Sequence, residues 1–168
     1  MPNDRNEIRE KLKQISLFQG ISDSKERLEK IVSKLKEKKV KAGDLIVKEG
    51  DIGDEVYIIK QGSVRVLKNT LENDTYTVIT LSSNENIFFG ELALVDNDTR
   101  SASVMAETEC DLLVFSRDSF NKLAEEDPYL GFKITHSIAK IIATRLRKAN
   151  KDIITLFEAL VNEVEGKE

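Results

Sequence analysis

Phe89-Gly90-Glu91-Leu92-Ala93-Leu94-Val95, followed after four residues by Arg100-Ser101-Ala102, is the most informative stretch of this 168-residue chain. A glycine opens it, a carboxylate follows, a short apolar run suits one or two helical turns, and an arginine returns nearby. The start of a helical turn presents unpaired N–H groups and the positive end of a dipole, which together attract an anion. Gly90 lets the backbone approach such a guest with no Cβ in the way. The amides around Leu92 and Ala93 are then expected to point at the anion's oxygens. Arg100 brings a permanent charge on a planar fork that reaches two oxygens at once, and Ser101 adds a hydroxyl donor. Glu91 cannot share the anion, because like charges repel. It suits a hydroxyl of the same guest, accepting a hydrogen bond as a carboxylate. The expected ligand carries one negative group and a neighbouring hydroxyl.

Around this cassette the hydrophobic period changes twice. From Asn3 to Leu35 it is helical, with Ile8, Leu12 and Ile15 in one run and Leu28, Ile31, Val32 and Leu35 in the next. Ser22 or Asp23 is the expected N-cap of the second helix, with Glu26 completing a capping box. From Glu37 to Ser116 the period is two: Val56 and Ile58 alternate with Tyr57 and Ile59, Val64 and Val66 with Ser63 and Arg65, and Tyr76 and Val78 with Thr75 and Thr77. Gly43-Asp44, Gly50-Asp51, Gly53-Asp54 and Gln61-Gly62 punctuate these runs as turns. Short strands at even spacing predict a closed or double-sheet β architecture.

After Ser116 the helical period returns. Asp127-Pro128 is a start signal, and the pattern runs to about Val164. Ala139, Ile142, Leu146, Ala149, Ile153, Leu156 and Leu160 step by threes and fours, which is a heptad seam. Ile138 and Ile141 are expected to lie on the β region. Beyond Leu146 little of it is left to touch, so the seam predicts a parallel homodimer; the alternative is one long helix on its own barrel.

Composition excludes several classes. A hydrophobic share of 40% and a charged share of 33% describe a globular chain with solvated helices. A net charge of −4 lacks the basic footprint of a nucleic-acid binder. No apolar run approaches the roughly 18 residues of a spanning helix, and the N-terminus lacks the form of a signal peptide. With His136 and Cys110 as the only histidine and cysteine, neither a transition-metal site nor a Ser-His or Cys-His catalytic group is expected. Nearby acids should raise the Cys110 pKa and keep the thiol inert. His136 is expected on a helix surface or boundary, and the basic run Lys34–Lys41 as a solvated edge.

The cassette resembles the phosphate-binding cassette of the cyclic nucleotide-binding domain, the module shared by catabolite-activator-type regulators, kinase regulatory subunits and cyclic-nucleotide-gated channels. Leu17-Phe18-Gln19-Gly20-Ile21-Ser22 is similar to the family's lead-in. Gly43–Asp51 and Val56–Val64 are similar to its early strands and turns. The resemblance implies a mainly β fold with flanking helices: an eight-stranded jelly-roll β-roll in a single domain spanning 1–168. Its parts would be N-terminal helices at 1–36, the roll at 37–116 with the cassette at 89–102, and C-terminal helices at 117–165. Carried over position by position, Gly90, Glu91, Leu92 and Ala93 match the cassette turn. Arg100 matches the phosphate arginine, Ser101 and Ala102 follow it, Val66 and Val78 match base-lining strand positions, and Asn150 matches positions touching the base edge in bacterial members.

Two departures stand out. The usual Gly-Asp turn before the cassette is replaced by Ser83-Asn84-Glu85-Asn86, where asparagine can supply a left-handed backbone. No winged helix-turn-helix follows by Glu168. The resemblance therefore implies a cytoplasmic, non-enzymatic regulatory sensor with no cofactor or metal. Its ligand would be a cyclic nucleotide, cAMP before cGMP; Ser101 leaves the purine open, because a hydroxyl there can also reach a guanine amino group. Binding would pass through the C-terminal helix to a dimer mate or an unknown downstream protein, without direct DNA or membrane contact. The competing expectation is a pseudo-receptor serving as a dimeric interaction scaffold. A cupin-type enzyme would need a histidine-rich metal centre that the β region lacks.

Overall fold

The structure is a computed structural model and describes residues 2–70 and 74–165. Two N-terminal helices, α1 (Pro2–Gln14) and α2 (Lys25–Val32), flank a 3-10 segment at Ser16–Ile21. Eight strands follow: β1 (Lys36–Val40), β2 (Leu45–Val47), β3 (Glu55–Gln61), β4 (Ser63–Asn69), β5 (Thr75–Ser82), β6 (Phe88–Phe89), β7 (Ser103–Ala106) and β8 (Cys110–Ser116). Helices α3 (Arg117–Glu126) and α4 (Pro128–Glu165) are the last of the described elements. The N-cap of α2 is Ser24, whose hydroxyl accepts from the Arg27 amide at 3.3 Å, not Ser22 or Asp23. Those two lie in the preceding turn, where the Ser22 amide and hydroxyl both donate to Gln19 O.

The strands form two four-stranded antiparallel sheets, ordered β1-β8-β3-β6 and β2-β7-β4-β5. Alternation on β3 separates two cores. Val56 and Ile58 face the helices with Leu12, Phe18, Ile31, Phe120 and Ile134. Tyr57 and Ile59 face the second sheet with Val64, Val104, Leu112 and Val114. The strand reads Val-Tyr-Ile-Ile without a polar interruption because both faces are covered. Phe88 and Phe89 divide in the same way, so the entry to the cassette is anchored in both cores.

Between β5 and β6, Ser82 and Glu85 form a reciprocal capping box, and Asn86 sits at φ 52, the left-handed conformation glycine would otherwise supply. Cys110 is buried, and its thiol donates to Ser63 O at 3.2 Å. Burial is the main cause raising its pKa; the neighbouring Asp111 charge adds to it. His136 is exposed and stacks on Phe132 with ring centroids 5.7 Å apart.

Helix α4 has 38 residues, about 57 Å at 1.5 Å per residue. Leu130, Ile134 and Ile138 are buried in the helical core and Ile141 packs at its border. Beyond Arg145 the helix leaves the body of the molecule. Leu146, Ile153, Leu156 and Leu160 of the heptad seam are each more than half exposed. Its start is built on Asp127, which accepts from the Leu130 amide at 3.1 Å and pairs with Arg27 at 2.8 Å. The Leu130 hydrogen bond, followed by Arg27, holds the Asp127 carboxyl below its usual value of 3.8. The resulting stability is therefore present above pH 3.8 and lost as pH falls through the lowered folded-state value. Asp127→Ala is expected to lower the thermal midpoint at pH 7. Scans repeated at descending pH should show the difference from wild type shrinking only on the acid side.

Candidate functional site

Gly90 has φ 80 and ψ 18, a left-handed geometry that a side chain would strain. It turns the chain out of β6 into a single 3-10 stretch, Glu91–Leu94. The Ala93 amide donates to Gly90 O at 3.1 Å, so its hydrogen is engaged within the turn and does not point at a guest as expected. Ala93 and Leu94 are buried beneath, while Leu92 is 36% exposed.

Above this turn lies a cavity of about 460 Å³, within the range of small-molecule sites. The cassette turn Gly90–Ala93 lines one side, and Arg100, Ser101 and Ala102 line another. Val66, Ile79 and Leu81 supply an apolar wall from the second sheet. The structure thus brings together eight of the ten residues the sequence singled out.

Val78 and Asn150 are the two it leaves outside. Strand β4 pairs Val66 with Ile79 but Leu67 with Thr77, so Val78 is the extra residue of a bulge. The bulge reverses the parity of β5, so Ile79 and Leu81 line the cavity where alternation placed Val78, although Ile79 is itself half exposed. Val78 is exposed, as is Asn150 on the projecting part of α4.

Arg100 is held mainly by backbone. Its amide donates to Asp51 O at 2.8 Å, and its carbonyl accepts from the Gly50 amide at 3.0 Å. Its Nη2 donates to Glu55 O at 2.8 Å and Nη1 to Gly90 O at 3.4 Å. The guanidinium carbon lies 6.0 Å from the Tyr57 ring, which stacks on Phe89. Tyr57 donates its hydroxyl to the Glu55 carboxylate at 2.7 Å, and burial first, then that bond, pushes the phenol above its usual range. Beneath the permanent cation therefore lies a neutral ring. Among the described residues no carboxylate pairs with the Arg100 guanidinium, which leaves its charge available to an outside anion.

Glu91 is 2% exposed, the one buried charged residue among those described. Arg145 of α4 donates to its carboxylate through Nη1. The sequence held a signal for this pairing that alternation of the seam obscured. Ile134, Ile138, Ile141 and Arg145 follow one another by fours and threes, so Arg145 ends the stripe facing the body of the molecule. Arg117 was equally unforeseen. From the first residue of α3 its guanidinium donates to Ala93 O, to Asp96 O at 2.7 Å and to Gly53 O at 3.0 Å. It ties the end of the cassette turn to the loop that carries Arg100.

Removal of Arg145 leaves the Glu91 carboxylate in a nearly closed setting without that partner. Arg145→Ala should cost about 1–3 kcal/mol, the usual loss when a charge-assisted hydrogen bond to a buried group is broken. Urea unfolding of the ligand-free protein reads this loss, and an unchanged midpoint would remove the contact from the account.

A family model described as "Cyclic nucleotide-binding domain" matches residues 37–127, more than half of the chain. The cAMP-dependent protein kinase type II regulatory subunit of Drosophila melanogaster is 30% identical over 95% of this chain and 40% of its own length. The Cyclic AMP receptor protein of Thermus thermophilus is 30% identical over 88% of this chain and 65% of its own. The chain thus spans less than two thirds of either relative. Among solved structures, a cyclic nucleotide-binding domain from Methylobacillus flagellatus aligns with a TM-score of 0.75 at 27% identity, covering 90% of this chain and 83% of that one.

Proposed function

The chain belongs to the cyclic nucleotide-binding domain family, and we propose that it is a regulatory sensor for a nucleoside 3′,5′-cyclic monophosphate. The observation that carries this reading is the polarity of the cavity: an arginine with no carboxylate partner among the described residues faces one region, and a buried carboxylate another. A phosphate placed against Arg100, Ser101 and the start of the Glu91–Leu94 turn satisfies the first. A ribose hydroxyl donated to Glu91 satisfies the second. Val66, Ile79 and Leu81 then receive the base, in place of the pairing of Val66 with Val78. The names of the two curated relatives carry cAMP, and we take cAMP as the ligand, with cGMP the competitor that Ser101 admits.

Glu91 joins the pocket to α4 through Arg145. A ligand hydroxyl arriving at Glu91 meets that contact, so ligand binding and the seat of α4 bear on the same carboxylate. The ligand shifts α4 only by the difference between its affinities for the two seats. The uncovered seam from Leu146 to Leu160 supplies the output: it pairs with a second copy in parallel, and the signal passes to a partner protein in the cytoplasm. The same uncovered seam favours a second reading, in which the roll is a passive mount and α4 a dimerising scaffold.

Calorimetric titration with cAMP should show Arg100→Ala weakening binding by about 2–5 kcal/mol, the range for stripping one partner from a buried charge pair. Unchanged affinity would falsify the placement of the phosphate. Thermal unfolding separates sensor from scaffold, since cAMP at 100 times its Kd adds about 2.7 kcal/mol to a protein that binds it and nothing to one that does not. Sedimentation equilibrium should give the mass of two chains for wild type and of one chain for Leu156→Lys. A wild-type monomer at micromolar concentration overturns the pairing through α4.

A further inference from the structure

Residues 50–55 form a cradle around a single side chain. Gly50 and Asp51 hold the Arg100 backbone from both sides, and Glu55 O receives its Nη2 at 2.8 Å. Between them, the guanidinium end of Arg100 lies over the α-carbon of Gly53. A Cβ built at Gly53 would stand 2.0 Å from Nε and 2.4 Å from both Cζ and Nη2 of Arg100. Atoms in real structures do not approach so closely. The backbone of Gly53 is outside the left-handed region, unlike those of Gly43, Gly50, Gly62 and Gly90. No left-handed torsion therefore asks for glycine here, and the requirement is one of space.

We propose that Gly53 is the positioning residue for Arg100: its missing Cβ is the slot in which the guanidinium lies, and that slot aims the charge across the cavity. The proposal deepens the reading above and rests on it for the ligand. Three constraints then define where the fork points. Glu55 O takes one N–H of Nη2, Gly90 O takes one of Nη1, and Gly53 sets the depth at which the plane can lie. The remaining N–H groups of the fork can serve an anion on the cavity side. The carbonyl of Gly53 is itself held by Arg117 Nη2 at 3.0 Å, so the floor of the slot is pinned from α3. The three nearest atoms that a Cβ would meet all belong to the far end of Arg100. A small side chain therefore displaces the guanidinium and leaves the packing of the roll alone.

The test uses the full chain, with cAMP as the probe, in four forms: wild type, Gly53→Ala, Arg100→Ala and the double variant. Gly53→Ala is expected to fold with a thermal midpoint near that of wild type and to bind cAMP at least tenfold more weakly. The double variant is expected to bind no worse than Arg100→Ala, because the glycine acts only through the arginine. Wild-type affinity in Gly53→Ala overturns the proposal, and so does a loss of equal size in the Arg100→Ala background. A ligand-free arm keeps the two readings apart. Crystals of wild type and Gly53→Ala should show the Arg100 Nη2 contact to Glu55 O in the first and not in the second. If wild type fails to bind cAMP, the sensor reading falls, and retention of that contact in the variant crystal alone overturns the role of Gly53.

Discussion

A strand buried on both faces cannot change register by one residue without carrying every apolar side chain into the wrong core. Strand β3 is in that position, with Val56 and Ile58 committed to the helices and Tyr57 and Ile59 to the opposite sheet. Its register against β8 and β6 is therefore set by two packing problems at once. Glu55, the first residue of β3, is where Arg100 Nη2 is held. The precision of the candidate site thus derives from hydrophobic packing several residues away, transmitted through a main-chain carbonyl that cannot shift independently.

The two arginines at the cassette perform different tasks with the same chemistry. Arg100 uses two N–H groups on backbone carbonyls and presents its charge to the cavity. Arg117 spends its donors on the structure: Ala93 O, Asp96 O and Gly53 O all accept from it. The carbonyls at the end of a short helical turn lack partners within it, and a cation there satisfies them while opposing the local dipole. The cassette is consequently gripped from below by α3 and from the side by the loop at 50–55. Its upper face remains for a guest.

Glu91 joins the pocket to the long helix. A carboxylate at 2% exposure requires a partner, and the chain supplies one from α4, 54 positions later in the sequence. The cavity wall and the seat of the helix in this way share one functional group. The helix beyond that contact carries a row of apolar side chains that nothing among the described residues covers. Burial of such a row is the favourable direction for apolar surface in water.

Much of this was legible in the sequence because local patterns encode local geometry. The period-two strands, the glycine that opens the cassette, the heptad steps of α4 and the Asp-Pro start before it each follow from torsional or packing rules within a few residues. The convergence of Gly90, Glu91 and Arg100 was legible through the cassette's spacing. Val78 was misplaced because a bulge adds one residue to a strand and reverses which side chains face inward, and that depends on the partner strand rather than on β5 itself. Ala93 lines the cavity as expected, but its amide is turned inward, because a 3-10 turn uses an amide that a longer α-helical start would leave open. The helical period put Arg145 on the face of α4 toward the body but did not name Glu91; that partner, the grip of Arg117 and the slot over Gly53 were decided by the tertiary structure. Each joins residues far apart in the chain, and the distance between such residues is set by how sheets and helices pack, which no local period records.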